Sequence, residues 1–368
     1  MARFAPQRTP ALHRSEGIRR RLFGTFEDID SNSGFTLVLY AMLVLFVMYI
    51  IAANLQLRWP WAQPKWHVQT LLTDDQGRLI DVGGLDFVDR NRGWAVGDRG
   101  MIYATRDGGK TWSTQPSGTT QRLRGVDFID GLRGWAVGAW NTVLYTADGG
   151  QTWTRITKEE TLFPASVQFV NSQTGWMAGL SGELLRTDDG GRTWKEQRGI
   201  GSRGISTLSV VDADYAWIGG VRSSLAFTEN GGDRWTRQAA EIENVGAVEF
   251  VDRLTGWYAG EDQVRHTNDN GETWVERRGR MFHTADGGNT WVEQQAPASA
   301  GLTEIAFLNR VVGWAAGAAG TIMHTRDGGQ TWEAQDSGIA QNLFVLSAVD
   351  QENVWAAGQG GVILRYSL

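Results

Sequence analysis

The chain of 368 residues contains no cysteine. That excludes a disulfide framework, thiol chemistry and a cysteine-linked lipid anchor. Histidine is scarce, at five residues; His67, His266, His283 and His324 are scattered or tied to a repeat, and no metal-ligand spacing joins them. The phosphate-cradling pattern G-x-x-x-x-G-K-[ST] is missing, so the 47 glycines read as turn glycines. An excess of positive charge is missing too: the formal net charge is -6. Residues 1–65 hold eight Lys/Arg against four Asp/Glu, which leaves 27 against 37 for the rest. An acidic body argues against general nucleic-acid binding. No cofactor and no metal is expected.

Long apolar runs are missing but for one. Phe35–Ala53 is 19 residues without a charge, roughly 28 Å as a helix, about one bilayer core. Arg3, Arg8, Arg14, Arg19, Arg20 and Arg21 precede it, and only Arg58 and Lys65 follow closely. The positive-inside rule then puts a tail, 1–34, in the cytoplasm. A transmembrane helix follows over 35–57, a linker over 58–65, and a body, 66–368, in the periplasm or lumen. A cleaved signal peptide fits less well, because the polar lead-in is long and no A-x-A site follows. Arg20-Arg21-Leu22-Phe23 is only a faint twin-arginine pattern, and the acidic Glu27-Asp28-Ile29-Asp30 follows it.

What the sequence has in excess is tryptophan, 18 residues, of which 14 fall into two series. Trp94, Trp135, Trp176 and Trp217 are 41 apart; Trp257 follows after 40, Trp314 after 57 and Trp355 after 41. Each sits in a G-W-x-x-G-like pentad, such as Gly93–Gly97. The second series has the form T-x-D-x-G-x-T-W, first at Thr105 to Trp112, and is the Asp-box or BNR repeat. Its acidic or amide positions are Asp107, Asp148, Asp189, Asn230, Asp269, Asp286 and Asp327. The box makes physical sense as a hairpin turn. Asp and Asn side chains bond nearby backbone amides. Glycines take positive φ, and the Trp packs back on the sheet. One carboxylate per turn does not make a calcium cage, so the boxes are read as structural.

A period near 40 built from short β segments is the signature of a β-propeller, one repeat per blade. The expected fold is all-β: seven four-stranded blades with Asp-box hairpins, preceded by the transmembrane helix. The 57-residue interval holds two boxes 17 residues apart, at Thr267 and Thr284. An extra hairpin is therefore expected, at about 275–298. The last repeat lacks a box, and Lys65-Trp66-His67-Val68-Gln69 resembles the missing outer strand. Joining both ends in one blade closes the ring and removes a sheet edge.

Catalytic constellations are thin. Counting eight back from each pentad Trp gives Asp86, Asp127, Gln168, Ser209, Glu249, Ala306 and Ser347. Three carboxylates facing a central channel allow a glycan-binding or glycan-hydrolysing reading, for which Asp127 and Glu249 are the test positions. A hydrated channel lining is the plainer reading, and no F-R-I-P-like arginine motif accompanies the boxes. Residues that break the repeat are more telling. Trp140 belongs to neither Trp series, and Arg222 sits at the same turn two blades on. Connectors entering the first strands carry Arg122, Arg124, Arg203 and the run Arg277, Arg278, Arg280. In propeller topology these turns and connectors share one face, and Arg and Trp are favoured interface anchors.

The alternation of G-W-A-V-G pentads with T-x-D-G-G-x-T-W boxes over residues 66–368 resembles the photosystem II stability/assembly factor family of cyanobacteria and plastids. The resemblance implies a non-catalytic propeller that binds membrane-protein intermediates through an arginine-rich patch. This chain departs in lacking a lipid-anchor Cys, in its apolar helix, and in the extra hairpin. The expected role is therefore a membrane-anchored propeller. It would dock on the extracytoplasmic face of an integral membrane complex, of photosystem or reaction-centre type, and assemble or stabilise it. Its partners would be that complex's subunits and, through one helix, membrane lipid. An accessory to a membrane transporter is an alternative that the residues do not separate from this one.

Overall fold

The structure, a computed structural model, describes residues 64–156, 162–197, 204–222, 224–261, 264–266, 275–277, 280–294 and 301–367, with backbone alone at 261, 264–266 and 275–277. The expected tail, transmembrane helix and most of the linker lie outside these residues. Among the described residues no helix is long and apolar enough to cross a membrane.

Seven four-stranded antiparallel sheets form the blades. Blade 1 runs Val82–Phe87, Gly93–Gly97, Ile102–Thr105 and Ser113–Gln115. Blades 2, 3, 4 and 6 repeat it with first strands Leu123–Phe128, Pro164–Phe169, Ile205–Val210 and Leu302–Phe307. Blade 7 joins Leu343–Asp350, Asn353–Gly358 and Val362–Ser367 to Lys65–Leu71. Trp66 faces Tyr366 in the ladder, so the N-terminal strand closes the ring as its sequence suggested. The first strands of successive blades touch all the way round, with blade 7 against blade 1.

Blade 5 differs from expectation. Its order is Asn244–Phe250, Gly256–Glu261, Arg280–Thr284, Val292–Gln294. The later box copy, at Thr284, is thus the blade's own turn. The separate two-stranded ribbon is Val264–His266 paired with Val275–Arg277, not a hairpin over 275–298. Sequence similarity between the copies gave no way to choose; the ladder of Gly256–Gly260 with Arg280–Thr284 chooses.

The two Trp series hold blades to one another. Each first strand ends in a Phe in blades 1, 2, 3, 5 and 6. The pentad Trp of the preceding blade lies flat on that ring: Trp94 on Phe128, Trp135 on Phe169 and Trp257 on Phe307, each at 3.5 Å, Trp355 on Phe87 at 3.6 Å, Trp217 on Phe250 at 4.5 Å. The box Trp of the Phe's own blade meets its edge, as Trp153 meets Phe128 at 5.8 Å. Flat and edge-on contacts suit the ring quadrupole and are worth about 0.5–1.5 kcal/mol each beyond burial. The leading pentad glycine leaves room for the Phe. A Cβ at Gly134 would stand 2.5 Å from the Phe128 ring.

The box itself is a closed hydrogen-bonded turn. Thr111 donates both its amide, 2.9 Å, and its hydroxyl, 2.6 Å, to the Asp107 carboxylate, while Gly109 N–H donates to Thr105 Oγ1 at 2.9 Å. The same bonds recur around Asp148, Asp189, Asp286 and Asp327. Asn230 accepts the Arg234 amide in the variant box. Hydrogen bonds from the Thr152 hydroxyl and amide hold the Asp148 carboxyl down to about 2. Asp269 lies outside the described residues.

Candidate functional site

Two faces follow from the turns. On one, each box glycine amide bonds the turn between first and second strands, as Gly108 to Asn91 at 2.9 Å and Gly149 to Leu132 at 2.8 Å. On the other, the turn between second and third strands bonds the connector entering the blade: Ala139 N–H to Arg122 O at 2.9 Å, Leu180 to Phe163 at 3.0 Å, Val221 to Gly204 at 3.0 Å. The ribbon Val264–Arg277 interrupts blade 5 at this second kind of turn.

The second face gathers the expected docking residues that are described. Arg122 Nε lies 3.3 Å from Asp98 Oδ1. Arg124 lines the mouth of the central cavity; burial, and then the charge of Arg122, lower its pKa. Trp140 is exposed, with Phe163 at 5.3 Å between ring centres. Arg222 is exposed in the turn of blade 4. Arg280 is less free than expected: it pairs with Glu293 at 2.7 Å and donates to the Glu241 carbonyl at 2.9 Å. Arg277 stands on the ribbon, its side chain outside the described set, and Arg203 and Arg278 lie outside it altogether. Every positive-φ residue other than glycine among the described residues is in a second-to-third-strand turn: Arg99, Trp140, Asn141, Arg222 and Ala319. This backbone normally favours glycine and costs of order 1–3 kcal/mol for other residues.

The central cavity has a volume of about 370 Å³ and is lined by the counted residues other than Ser209: Asp86, Asp127, Gln168, Glu249, Ala306 and Ser347. Most of these residues clasp the next blade. Asp86 accepts the Phe128 amide at 2.7 Å, Asp127 that of Phe169 at 2.9 Å, and Gln168 that of Val210 at 2.8 Å. Ser209 accepts from Phe250 at 2.8 Å and Ser347 from Phe87 at 3.0 Å. Burial nonetheless raises Asp86 to about 6, and burial followed by the Asp86 charge raises Asp127. Burial raises Glu249 to about 8. Glu304 also reaches about 8, from burial and then the charge of Glu249. Glu304 was missed because the count lands on Ala306; in a strand, two residues back points the same way. Asp127, one of the two test positions for glycan chemistry, is engaged in a structural bond.

A polar, carboxylate-lined channel and an Arg/Trp-bearing turn face, on seven blades, define an Asp-box β-propeller. The family model described as photosynthesis system II assembly factor YCF48 matches residues 60–166, 158–240 and 283–367. The chain belongs to that family. Its fold is similar to that of YCF48 bound to D1 peptide, at 24% identity and a TM-score of 0.65, over 83% of this chain and 100% of that one. YCF48 from Cyanidioschyzon merolae is 23% identical, with a TM-score of 0.65, over 82% and 99%. The WD40 β-propeller domain of Doa1 reaches a TM-score of 0.64 at only 10% identity, over 83% and 97%, so that likeness is one of architecture. A search of curated proteins finds no match.

Proposed function

We propose that this chain is a non-catalytic, membrane-anchored propeller that docks on the extracytoplasmic face of an integral membrane complex of photosystem or reaction-centre type. It assembles or stabilises that complex. Family membership supports the assembly role. The relative bound to a D1 peptide supports a membrane-protein segment as the bound partner. The observation that carries the reading for this chain is its second turn face, where Trp140 and Arg222 are held outward on left-handed backbone. The anchor is Phe35–Ala53, with the N-terminus cytoplasmic and the propeller in the periplasm or lumen.

The test is mild detergent extraction of membranes, followed by affinity capture of the full-length chain and identification of what comes with it. Subunits of one membrane complex, captured reproducibly and lost after replacement of the turn residues of blades 2 and 4, are the expected result. A chain that always migrates alone sinks the proposal. Protease accessibility of the propeller in intact and opened cells checks the orientation independently.

A further inference from the structure

We propose that the turn face of blades 2 to 4 carries an apolar ridge that seats a large apolar side chain of an acidic peptide segment, with Trp140 as its anchor. The inference rests on the docking reading above and specifies the chemistry of the segment that docks.

The ridge residues stand on adjoining turns. Trp140, Leu180 and Val221 are 60%, 42% and 41% exposed, and they occupy the same turn in three consecutive blades. Phe163 links the first two: its ring lies 5.3 Å from that of Trp140, and its carbonyl accepts the Leu180 amide at 3.0 Å. Gly204 links the last two. A Cβ there would stand 2.9 Å from Val221 Cγ2 and 3.3 Å from the Leu180 carbonyl, so the two turns meet across it. Monomeric proteins seldom leave contiguous large apolar groups uncovered without a use. Here the exposure is enforced. Trp140 and Asn141 both have a φ of +55°. Arg155 pins the turn by donating to their carbonyls at 3.0 and 2.9 Å.

Charge selects the occupant. Arg155 and Arg222 flank the ridge, and neither has a carboxylate partner among the described residues; Arg155 meets only carbonyls. The carboxylate of the same turns, Glu183, is already committed, accepting the Phe163 amide at 3.1 Å and the Ser181 amide at 2.9 Å. Among the described residues, the ridge therefore presents apolar surface between two cations that have no carboxylate partner. A partner with carboxylates beside a large apolar residue complements both. A lipid headgroup layer would meet the cations but gives the indole no defined seat, and a basic peptide is repelled.

The probe is a displayed library of random short peptides, selected on the full-length protein in detergent. Selected peptides are then titrated against wild type, Trp140→Ser, Trp140→Phe, the double variant Leu180→Ser/Val221→Ser, and Arg222→Gln. The expected consensus is a Phe, Leu, Ile, Met or Trp beside Asp or Glu. Trp140→Ser and the double variant should each weaken binding by roughly tenfold or more, as loss of an anchor does. Trp140→Phe should retain most affinity, and Arg222→Gln should reduce the salt dependence. Unchanged thermal melting of the exposed-site variants shows that folding is intact. No binders, basic binders, binders without an apolar residue, or binding indifferent to both Trp140→Ser and the double variant would each overturn the ridge. Binding only to anionic vesicles would overturn it as well. If the complex from membranes is captured equally by wild type and Trp140→Ser, docking stands and the ridge falls. If wild type captures nothing, the docking reading falls.

Discussion

Replacing Trp135 with phenylalanine should cost more than the same replacement at Trp176, although both indoles are fully buried at one repeat position. Both variants lose the same ring volume, so the burial terms nearly cancel, while Trp135 alone also gives up part of a flat contact, with Phe169. The polar terms do not cancel. Trp135 Nε1 donates to the Gly190 carbonyl in the box of blade 3 at 3.1 Å. Trp94, Trp257 and Trp355 do the same toward Gly149, Gly328 and Gly108. Removing that donor forfeits a hydrogen bond worth about 0.5–1.5 kcal/mol and leaves a half-buried carbonyl without its partner. The Trp176 N–H has no acceptor among the described residues. At the counterpart of Gly190, the Gly231 carbonyl accepts from Arg186 Nη1 instead. Deleting an unpaired buried N–H relieves a desolvation penalty, which offsets lost packing.

One term runs the other way. Arg186 lies over the Trp176 ring at 4.9 Å, and phenylalanine is a poorer cation–π partner by some fraction of about 0.5–1 kcal/mol. The net expectation is that Trp135→Phe is the more damaging by about 1–2 kcal/mol. Calorimetry on the full-length protein would show it as a melting temperature several degrees lower, at about 2–4 °C per kcal/mol for a large domain. Equal costs, or a larger cost at Trp176, would refute the claim that a paired indole N–H fastens its blade to the next turn.

Other perturbations test the channel and the boxes. Glu249 and Glu304, raised to about 8, bind protons in the folded state that the unfolded chain has released. Stability should therefore fall as pH rises from the ordinary carboxylate range toward 8, and Glu249→Gln with Glu304→Gln should flatten that limb of a melting-temperature profile. Asp148 and Asp286, held at about 2 by threonine hydroxyl and amide bonds, contribute in the opposite sense. Their stabilisation is present above the ordinary carboxylate range and is lost as pH falls toward 2. Thr152→Ala should move the acid midpoint, followed by circular dichroism, to higher pH. Asp127→Ala leaves the Phe169 amide without its carboxylate and should cost about 1–3 kcal/mol in urea unfolding, whereas Asp127→Asn keeps an acceptor and should cost far less. Equal costs would show that the cross-blade bond is immaterial.

The blades were legible because their residues answer to local rules. A turn that needs two positive-φ glycines and a side-chain acceptor can be read from eight residues, as at Thr105 to Trp112. Blade count and closure followed from spacing alone, since Trp66 had to replace a missing outer strand. Pairing between near-identical copies was not legible. His266 and His283 head equivalent segments, and only the ladder shows that His283, opposite Trp257, belongs to the blade. The face was half legible. Trp140 stood out by breaking the tryptophan series, but Phe163, Leu180 and Val221 look like ordinary connector residues until three turns are brought together. The grip of Glu293 on Arg280 joins neighbouring strands of one blade, and counting arginines does not show it.

The ring seam adds a constraint on how this molecule is held together. Blade 7 meets blade 1 across the two ends of the chain, yet it uses every device found between consecutive blades. Trp355 stacks on Phe87 at 3.6 Å and donates to the Gly108 carbonyl at 3.1 Å, and Ser347 accepts the Phe87 amide at 3.0 Å. The weaker joints lie elsewhere, where the first strand ends without a Phe. Val210 stands under Trp176 and Ala348 under Trp314, and both indole N–H groups lack acceptors among the described residues. Arg186 over Trp176 and His324 stacked on Trp314 at 4.5 Å are cross-strand neighbours in the Trp's own blade, as Arg365 is over Trp355, so they do not replace the missing ring. Like the joint between blades 6 and 7, the joint between blades 3 and 4 therefore lacks the flat Trp–Phe contact that the other five have. The ridge residues Leu180 and Val221 stand on either side of that joint.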